Sequence, residues 1–289
     1  MENDPQVLVS TDWLFSRLSD PETRILDATW YLPNIDRDAK AEYDECHIPN
    51  ARYFDIDDIS DHRSDLPHMV PPVEKFMSKV RKLGVGDGHQ IIIYDSHGLF
   101  SAARVRWLFN VMGQKNVAVL DGGLPKWLRE GKPVDASPSL IRDRHMFVKY
   151  RDEMVKDVTQ VSLASKIGDY EILDARSAGR FRGDEPEPRL GLRSGHIPGS
   201  KNIFYGDLLN DDGTLKSQNE LINHFKDKDV NLEKPAITTC GSGVTAAIIN
   251  LALDRIGKSD HSLYDGSWTE WGMYPVSYTH LTLPTTPYV

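Results

Sequence analysis

Ile25-Leu26-Asp27-Ala28 is written a second time as Ile172-Leu173-Asp174-Ala175, and that recurrence decides the fold. Three further landmarks recur in the same order. His47-Ile48-Pro49 returns as His196-Ile197-Pro198, and Tyr94-Asp95 with Gly98 returns as Thr239-Cys240 with Gly243. Asp121-Gly122-Gly123 with Trp127 returns as Asp265-Gly266-Ser267 with Trp271. The offsets are 147, 149, 145 and 144 residues. Four landmarks at nearly one offset mark an internal duplication. The halves run over 6–135 and 153–276, and a linker of Pro, Ser and charged residues fills 136–152. Residues 277–289 are rich in Thr and Pro and lack Asp, Glu, Lys and Arg. They have no counterpart in the first half and stay outside the fold argument.

Each half reads alike. Ile25–Asp27, Ile91–Tyr94 and Val117–Leu120 are short apolar runs, matched by Ile172–Asp174, Ala236–Thr239 and Ser262–Tyr264. Runs of that length bounded by turn residues read as buried strands. A Gly-containing loop follows the second run, and then a helical pattern. One spans Ser101–Met112 and stops at Gly113; the other spans Val244–Ile256 and stops at Gly257. Strand, loop, helix, strand predicts an α/β fold. It consists of two tandem domains, each a parallel sheet with helices on both faces.

Composition removes several functions. With 34 Lys and Arg against 43 Asp and Glu, the chain carries a formal charge of −9. A nucleic-acid binder needs a basic face, and an anionic membrane surface repels such a balance. No apolar stretch approaches the roughly 20 residues of a membrane span. The acidic start, Met1-Glu2-Asn3-Asp4-Pro5, resembles neither a secretory signal nor a transit peptide, which predicts the cytosol. Cys46 and Cys240 cannot build a disulfide framework, and each is expected to be free.

The duplication acts as an internal control. Features in both halves serve the fold, and features in one half are candidates for chemistry. His47 and His196, the Asp-Gly turns, and Trp127 and Trp271 therefore read as structural. The strand-to-helix loop breaks the symmetry: the second half has Cys240-Gly241-Ser242-Gly243-Val244-Thr245-Ala246, and the first has Asp95 in place of the cysteine. Ligands of open α/β sheets sit at such strand ends. Successive N–H groups of a small-residue loop form an anion-binding nest, and the helix behind adds its dipole. Both favour a thiolate. The competing reading is a buried, inert cysteine. Ala246 stands where a cysteine phosphatase needs the Arg that clamps phosphate. Gly84, Gly86 and Gly88 precede a strand instead of opening a helix, so they are no dinucleotide loop. No Cys and His spacing suggests zinc, and neither a metal nor a cofactor is expected. Cys46 lacks a nest and reads as an ordinary thiol.

The loop 240–246, the two His-Ile-Pro segments and Asp265-Gly266-Ser267-Trp268-Thr269-Glu270-Trp271 resemble the rhodanese superfamily. Within it they resemble the branch that takes sulfur from 3-mercaptopyruvate. The resemblance covers Val7 to about Trp271. It implies two rhodanese domains, of which only the second is catalytic. It further implies that Cys240 becomes a persulfide, that Gly241, Gly243, Val244 and Thr245 line the substrate, and that Arg180 and Arg189 grip its carboxylate and keto group. Arg182 is the weaker candidate. Asp57, His68 and Ser242 are implied as a proton relay, although Asp55, Asp58 and Asp61 lie close by in sequence. The implied acceptors are thioredoxin, a small dithiol or cyanide. A charge argument runs beside the resemblance. Thiosulfate carries charge next to the transferred sulfur and wants cations inside the loop. Mercaptopyruvate carries it several bonds away and suits a neutral loop such as Gly241-Ser242 with Arg set further out. The alternatives are a thiosulfate:cyanide sulfurtransferase, a persulfide carrier loaded by a partner, and a purely structural protein.

Overall fold

The computed structural model describes residues 2–274, so the expected tail at 277–289 lies outside the described residues. Among the described residues ten strands form two sheets. The first holds β1 (Leu8–Val9), β2 (Thr23–Asp27), β3 (Ala51–Tyr53), β4 (Gln90–Tyr94) and β5 (Val117–Leu120) in the order β1-β5-β4-β2-β3. The second holds β6 (Val155–Lys156), β7 (Glu171–Asp174), β8 (Lys201–Asn202), β9 (Ala236–Thr239) and β10 (His261–Tyr264) in the order β6-β10-β9-β7-β8. Every ladder pair is parallel. The two orders are the same order, as a duplication requires. Register repeats too: Asp27 lies opposite Tyr94, and Asp174 opposite Thr239.

The central strands are buried on both faces, which is why they read as unbroken apolar runs. Ile91 and Ile93 face one cluster, while Ile92 and Tyr94 face another. The first of these clusters is shared, because it also takes in Leu173, Ile248 and Leu251 of the second half. The helices Ala102–Val111 and Ala246–Arg255 pack against each other there. They begin at the Asp95 loop and the Cys240 loop, so both loops open toward the junction. Both helices start later than the periodicity suggests: Ser101 caps the first, and Val244 and Thr245 precede the second. Gly113 and Gly257 follow their ends at φ 88° and 81°, the left-handed conformation that glycine adopts without strain.

Linker residues 136–152 lie along the first half. Met146 is buried, and Asp87 accepts the Phe147 N–H. His47 and His196 each contact a main-chain oxygen through Nδ1, of Tyr43 and Phe181. Trp127 is buried as expected, but Trp271 is only partly so, because Trp268 occupies the second core and donates Nε1–H to the Arg193 oxygen. Among the described residues no helix is long and apolar enough to cross a membrane.

Asp27 closes β2 in a buried position, where burial pushes its carboxyl from the usual 3.8 up to about 6, against hydrogen bonds from Thr29. The folded state therefore holds this proton more tightly than the unfolded chain. The resulting stabilisation is complete below pH 4 and is lost as pH rises through 6. Asp27→Asn keeps an oxygen for Thr29 and removes the titration. From pH 5 to pH 7.5, wild type should lose about 1 kcal/mol relative to the variant in denaturant unfolding. An offset independent of pH would contradict this assignment.

Candidate active site

Cys240 follows β9 directly and is 2% exposed. The loop after it is fastened from outside. The Cys240 N–H reaches Ser267 Oγ (3.2 Å), the Trp268 N–H donates to the Cys240 oxygen (2.9 Å), and Thr269 donates N–H and Oγ1–H to the Gly241 oxygen (2.8 and 2.6 Å). With those carbonyls held outward, the N–H groups of Gly241 to Thr245 have no acceptor among the described residues. They precede the helix Ala246–Arg255, and unpaired N–H groups at a helix start suit an anion. Gly243 sits at φ 78°, where a side chain would be strained and its Cβ would meet Arg104 Nη1 at 3.0 Å.

The first half shows what such a loop holds. Asp95 stands at the cysteine's position, and its carboxylate accepts the N–H groups of His97, Phe100 and Ala102 (2.9, 2.7 and 2.9 Å). The Leu124 N–H donates to the Asp95 oxygen just as that of Trp268 does to Cys240. One copy of the loop thus carries its own anion, and the other carries a thiol.

A cavity of about 220 Å³ opens over Cys240. Its floor is Cys240, Gly241, Ser242, Val244 and Thr245. One wall is aromatic and comes partly from the first half: Trp30 and Phe100 stack nearly parallel (6.4 Å), and Tyr205 meets Phe100 edge-on (5.6 Å). The other wall is cationic, with Arg176, Arg180 and Arg189. Arg180 Nη2 is held by Glu187 Oε2 (2.5 Å), and Glu187 Oε1 also takes Arg176 Nη1 (2.8 Å). Asp174 completes this buried network on Arg176 (2.7 Å). Arg189 pairs with none of these carboxylates; its Nη2 reaches toward Ser242 Oγ (3.5 Å). Burial and the neighbouring charge of Arg180 push the Arg189 guanidinium down from its ordinary value, against Cys240, Glu187 and Asp57. Arg182 points away, exposed and paired with Asp184.

His68 and Asp57 come together, with Nδ1 3.0 Å from Oδ1, within ion-pair distance but without hydrogen-bond alignment. Trp30 donates Nε1–H to Asp57 Oδ2 (2.9 Å) and sets its ring edge-on to the imidazole. Burial raises the Asp57 carboxyl, but His68, Trp30 and Arg189 outweigh it and hold it below its usual range. His68 is buried in the left-handed region at φ 63°, rare for a non-glycine residue. It does not line the cavity, and among the described residues no hydrogen bond joins it to Ser242. Gly243 likewise shapes the loop without lining the cavity. Cys46 lies elsewhere, half-buried, its thiol pushed up by burial and by Asp27.

Sequence reading passes over Trp30, Phe100, Tyr205, Arg176 and Glu187. Arg176 carried a usable signal, because the offset that aligns Asp27 with Asp174 aligns it with Thr29. The aromatic residues carried none: Trp30 and Phe100 meet within the first half, Tyr205 joins them from the second, and both contacts are distant in sequence. No group of three or more His, Cys, Asp or Glu among the described residues could hold a metal ion.

Comparison with known proteins agrees with this architecture. The model of the Rhodanese-like domain matches residues 10–130 and 158–274. The 3-mercaptopyruvate sulfurtransferase of Homo sapiens is 42% identical over 274 residues, covering 93% of this chain and 92% of that protein. The thiosulfate/3-mercaptopyruvate sulfurtransferase 1, mitochondrial, of Arabidopsis thaliana is 41% identical, covering 93% and 76%. The crystal structure of SseA from Escherichia coli, a rhodanese-fold 3-mercaptopyruvate sulfotransferase, superposes with a TM-score of 0.84 at 40% identity, covering 91% and 99%.

Proposed function

The chain belongs to the rhodanese-like domain family, and on that premise we propose that it is a sulfurtransferase moving the sulfur of 3-mercaptopyruvate through a Cys240 persulfide. The observation that carries this is the row of free N–H groups around a thiol, set beside guanidiniums that approach from outside the loop. Cys240 Sγ attacks the substrate sulfur. The S–S bond forms as the C–S bond breaks, and the electron pair leaves on carbon as the pyruvate enolate, which takes a proton to give pyruvate. The loop N–H groups stabilise the charge that develops around sulfur. Arg180 and Arg189 hold the carboxylate and keto oxygens, a planar target that suits the guanidinium fork. Ser242 lines the cavity, where it can pass the proton, and the resemblance supplies the rest of the relay as His68 and Asp57, which pair with each other. Asp57, held ionised, suits the end of such a relay.

The outer sulfur of the persulfide then goes to a thiol acceptor, thioredoxin or a small dithiol, or to cyanide. The aromatic wall supports an organic acceptor. A reducing, cytosolic setting suits the cycle, because Cys240 must return to the free thiol.

Thiosulfate is a second substrate on this reading. Arg180 Nη2 would lie 3.1 Å from a Cβ at Gly241, so one cation does come up against the loop, and the Arabidopsis relative is named for both donors. The test is sulfur transfer with each donor and the same acceptors. We expect kcat/KM for mercaptopyruvate to exceed that for thiosulfate by at least about tenfold, the worth of one well-placed charge-assisted contact. A preference for thiosulfate overturns the charge argument.

A further inference from the structure

We propose that Arg104, which belongs to the half without the cysteine, is the positioning residue that registers the His68 turn against the Cys240 loop. The inference rests on the sulfurtransferase reading and adds a residue to it. Arg104 is on the helix Ala102–Val111, 2% exposed, with its guanidinium 4.4 Å from the Trp107 ring. Its Nη2 donates to the main-chain oxygen of His68 (2.5 Å) and to Asp265 Oδ1 (2.6 Å), and its Nη1 donates to the Gly243 oxygen (3.3 Å). Asp265 Oδ2 in turn accepts the Val70 N–H (2.7 Å). One buried guanidinium therefore ties together the turn that presents His68, a glycine of the Cys240 loop, and the carboxylate that links the two halves.

The duplication separates what is structural here from what is specific to the site. On the opposite side of the molecule, Asp121 Oδ1 accepts the Leu215 N–H (2.8 Å), the counterpart of the Asp265–Val70 bond at offsets of 144 and 145. That carboxylate-to-loop bond exists twice and serves the junction. The guanidinium exists once. The stretch equivalent to Arg104 on the helix Ala246–Arg255 is Ile248-Ile249, apolar and buried, and Asp121 makes no ion pair among the described residues. Burial accordingly leaves the Asp121 carboxyl up at about 6. Lys126 and Arg255 act on Asp121 without pairing with it, so among the described residues a buried guanidinium paired with the junction carboxylate is found on the side that carries the cysteine. It donates to the main-chain oxygen of His68, whose left-handed backbone is shared by the equivalent Gly213 (φ 81°), so the guanidinium fixes where the turn sits and the turn sets its own backbone. A loop and a turn from different halves need such a common anchor, since small misplacements of catalytic groups cost rate steeply.

Arg104→Lys keeps a cation for Asp265, but one nitrogen cannot span three acceptors. With mercaptopyruvate as donor, we expect kcat to fall about 10- to 100-fold, with KM changed less than about threefold, because substrate binding does not use Arg104. The loss should fall on persulfide formation followed by mass spectrometry in a single turnover. Asp121→Asn, the counterpart on the opposite side, should keep wild-type kcat. A folded Arg104→Lys protein with unchanged kcat overturns the proposal. So does a loss shared equally by Asp121→Asn, because that would make the junction as a whole responsible. If Arg104→Lys does not fold, Asp265→Asn reads the same link from its other end, and full kcat there also overturns it. Wild type alone tests the parent reading: no turnover of mercaptopyruvate by wild type sinks the sulfurtransferase assignment, whereas an active wild type beside an active Arg104→Lys sinks only the role of Arg104.

Discussion

Cys240→Ser removes sulfur transfer, with kcat/KM expected to fall by about 10⁴-fold or more, since the covalent intermediate is lost along with its nucleophile. The substitution is nearly isosteric at a position 2% exposed, and the N–H of residue 240 still reaches Ser267, so the fold is not at issue. What changes is the chemistry. A hydroxyl at this site is a poor nucleophile toward divalent sulfur and cannot carry a second sulfur atom. Mass spectrometry after exposure to mercaptopyruvate alone should show one added sulfur on wild type and none on the variant. Cys46→Ser supplies the control and should keep full turnover. Cys46 is outside the cavity, and its thiol is pushed up by burial and by Asp27, away from the reactive form. Appreciable turnover by Cys240→Ser would falsify the assignment of the nucleophile. Turnover by wild type without a persulfide would move the reaction away from covalent catalysis altogether.

How far the sequence could be read follows from where each contact comes from. The central strands were legible because a parallel strand buried on both faces is apolar at every position, as Ile91-Ile92-Ile93 is. The two-residue strands Leu8–Val9, Val155–Lys156 and Lys201–Asn202 are too short to show any period. Cys240 was legible because the first half displays the same loop with Asp95 in its place. The structure supplies the physical meaning of that difference: three N–H groups bind the Asp95 carboxylate, and the same architecture faces a thiol in the second half. The asymmetry argument could have reached Arg104 and Arg176 as well, since Ile248-Ile249 and Thr29 stand at the matching positions. Trp30, Phe100 and Tyr205 belong to a different kind of information. Trp30 reaches Phe100 through the fold of the first half and Tyr205 reaches Phe100 through the docking of the two halves, and no local pattern encodes either. The relay implied for Asp57, His68 and Ser242 lies between these cases. The structure brings Asp57 to His68 and Arg189 to Ser242, and it leaves the step from His68 to Ser242 without a direct hydrogen bond among the described residues.

Arg189 is where the electrostatics of the cavity come to a point. Arg176 and Arg180 are committed to Asp174 and Glu187, and these buried pairs hold their planes in place. Arg189 is pushed down by burial and by Arg180, which means the cavity is costly for its charge as it stands. A substrate carboxylate placed beside Arg189 would relieve that cost, because it supplies the counter-charge that Arg176 and Arg180 already have. Hydrogen bonds to charged groups contribute about 1.5–3 kcal/mol. Arg189→Met should therefore lower kcat/KM for mercaptopyruvate by about 100-fold, mainly through KM. Arg189→Lys should recover only part of the loss, because a point charge replaces a planar fork. The second half-reaction provides the contrast. Once the persulfide is formed, transfer of its outer sulfur to an uncharged thiol makes no use of a carboxylate clamp, and that rate should stay within about twofold of wild type. If Arg189→Met leaves kcat/KM for mercaptopyruvate within threefold of wild type, the carboxylate is held elsewhere. If both half-reactions fall together, Arg189 acts on Ser242 and the loop instead of on the donor, which its 3.5 Å approach to Ser242 Oγ makes a definite second possibility for the same experiment to read.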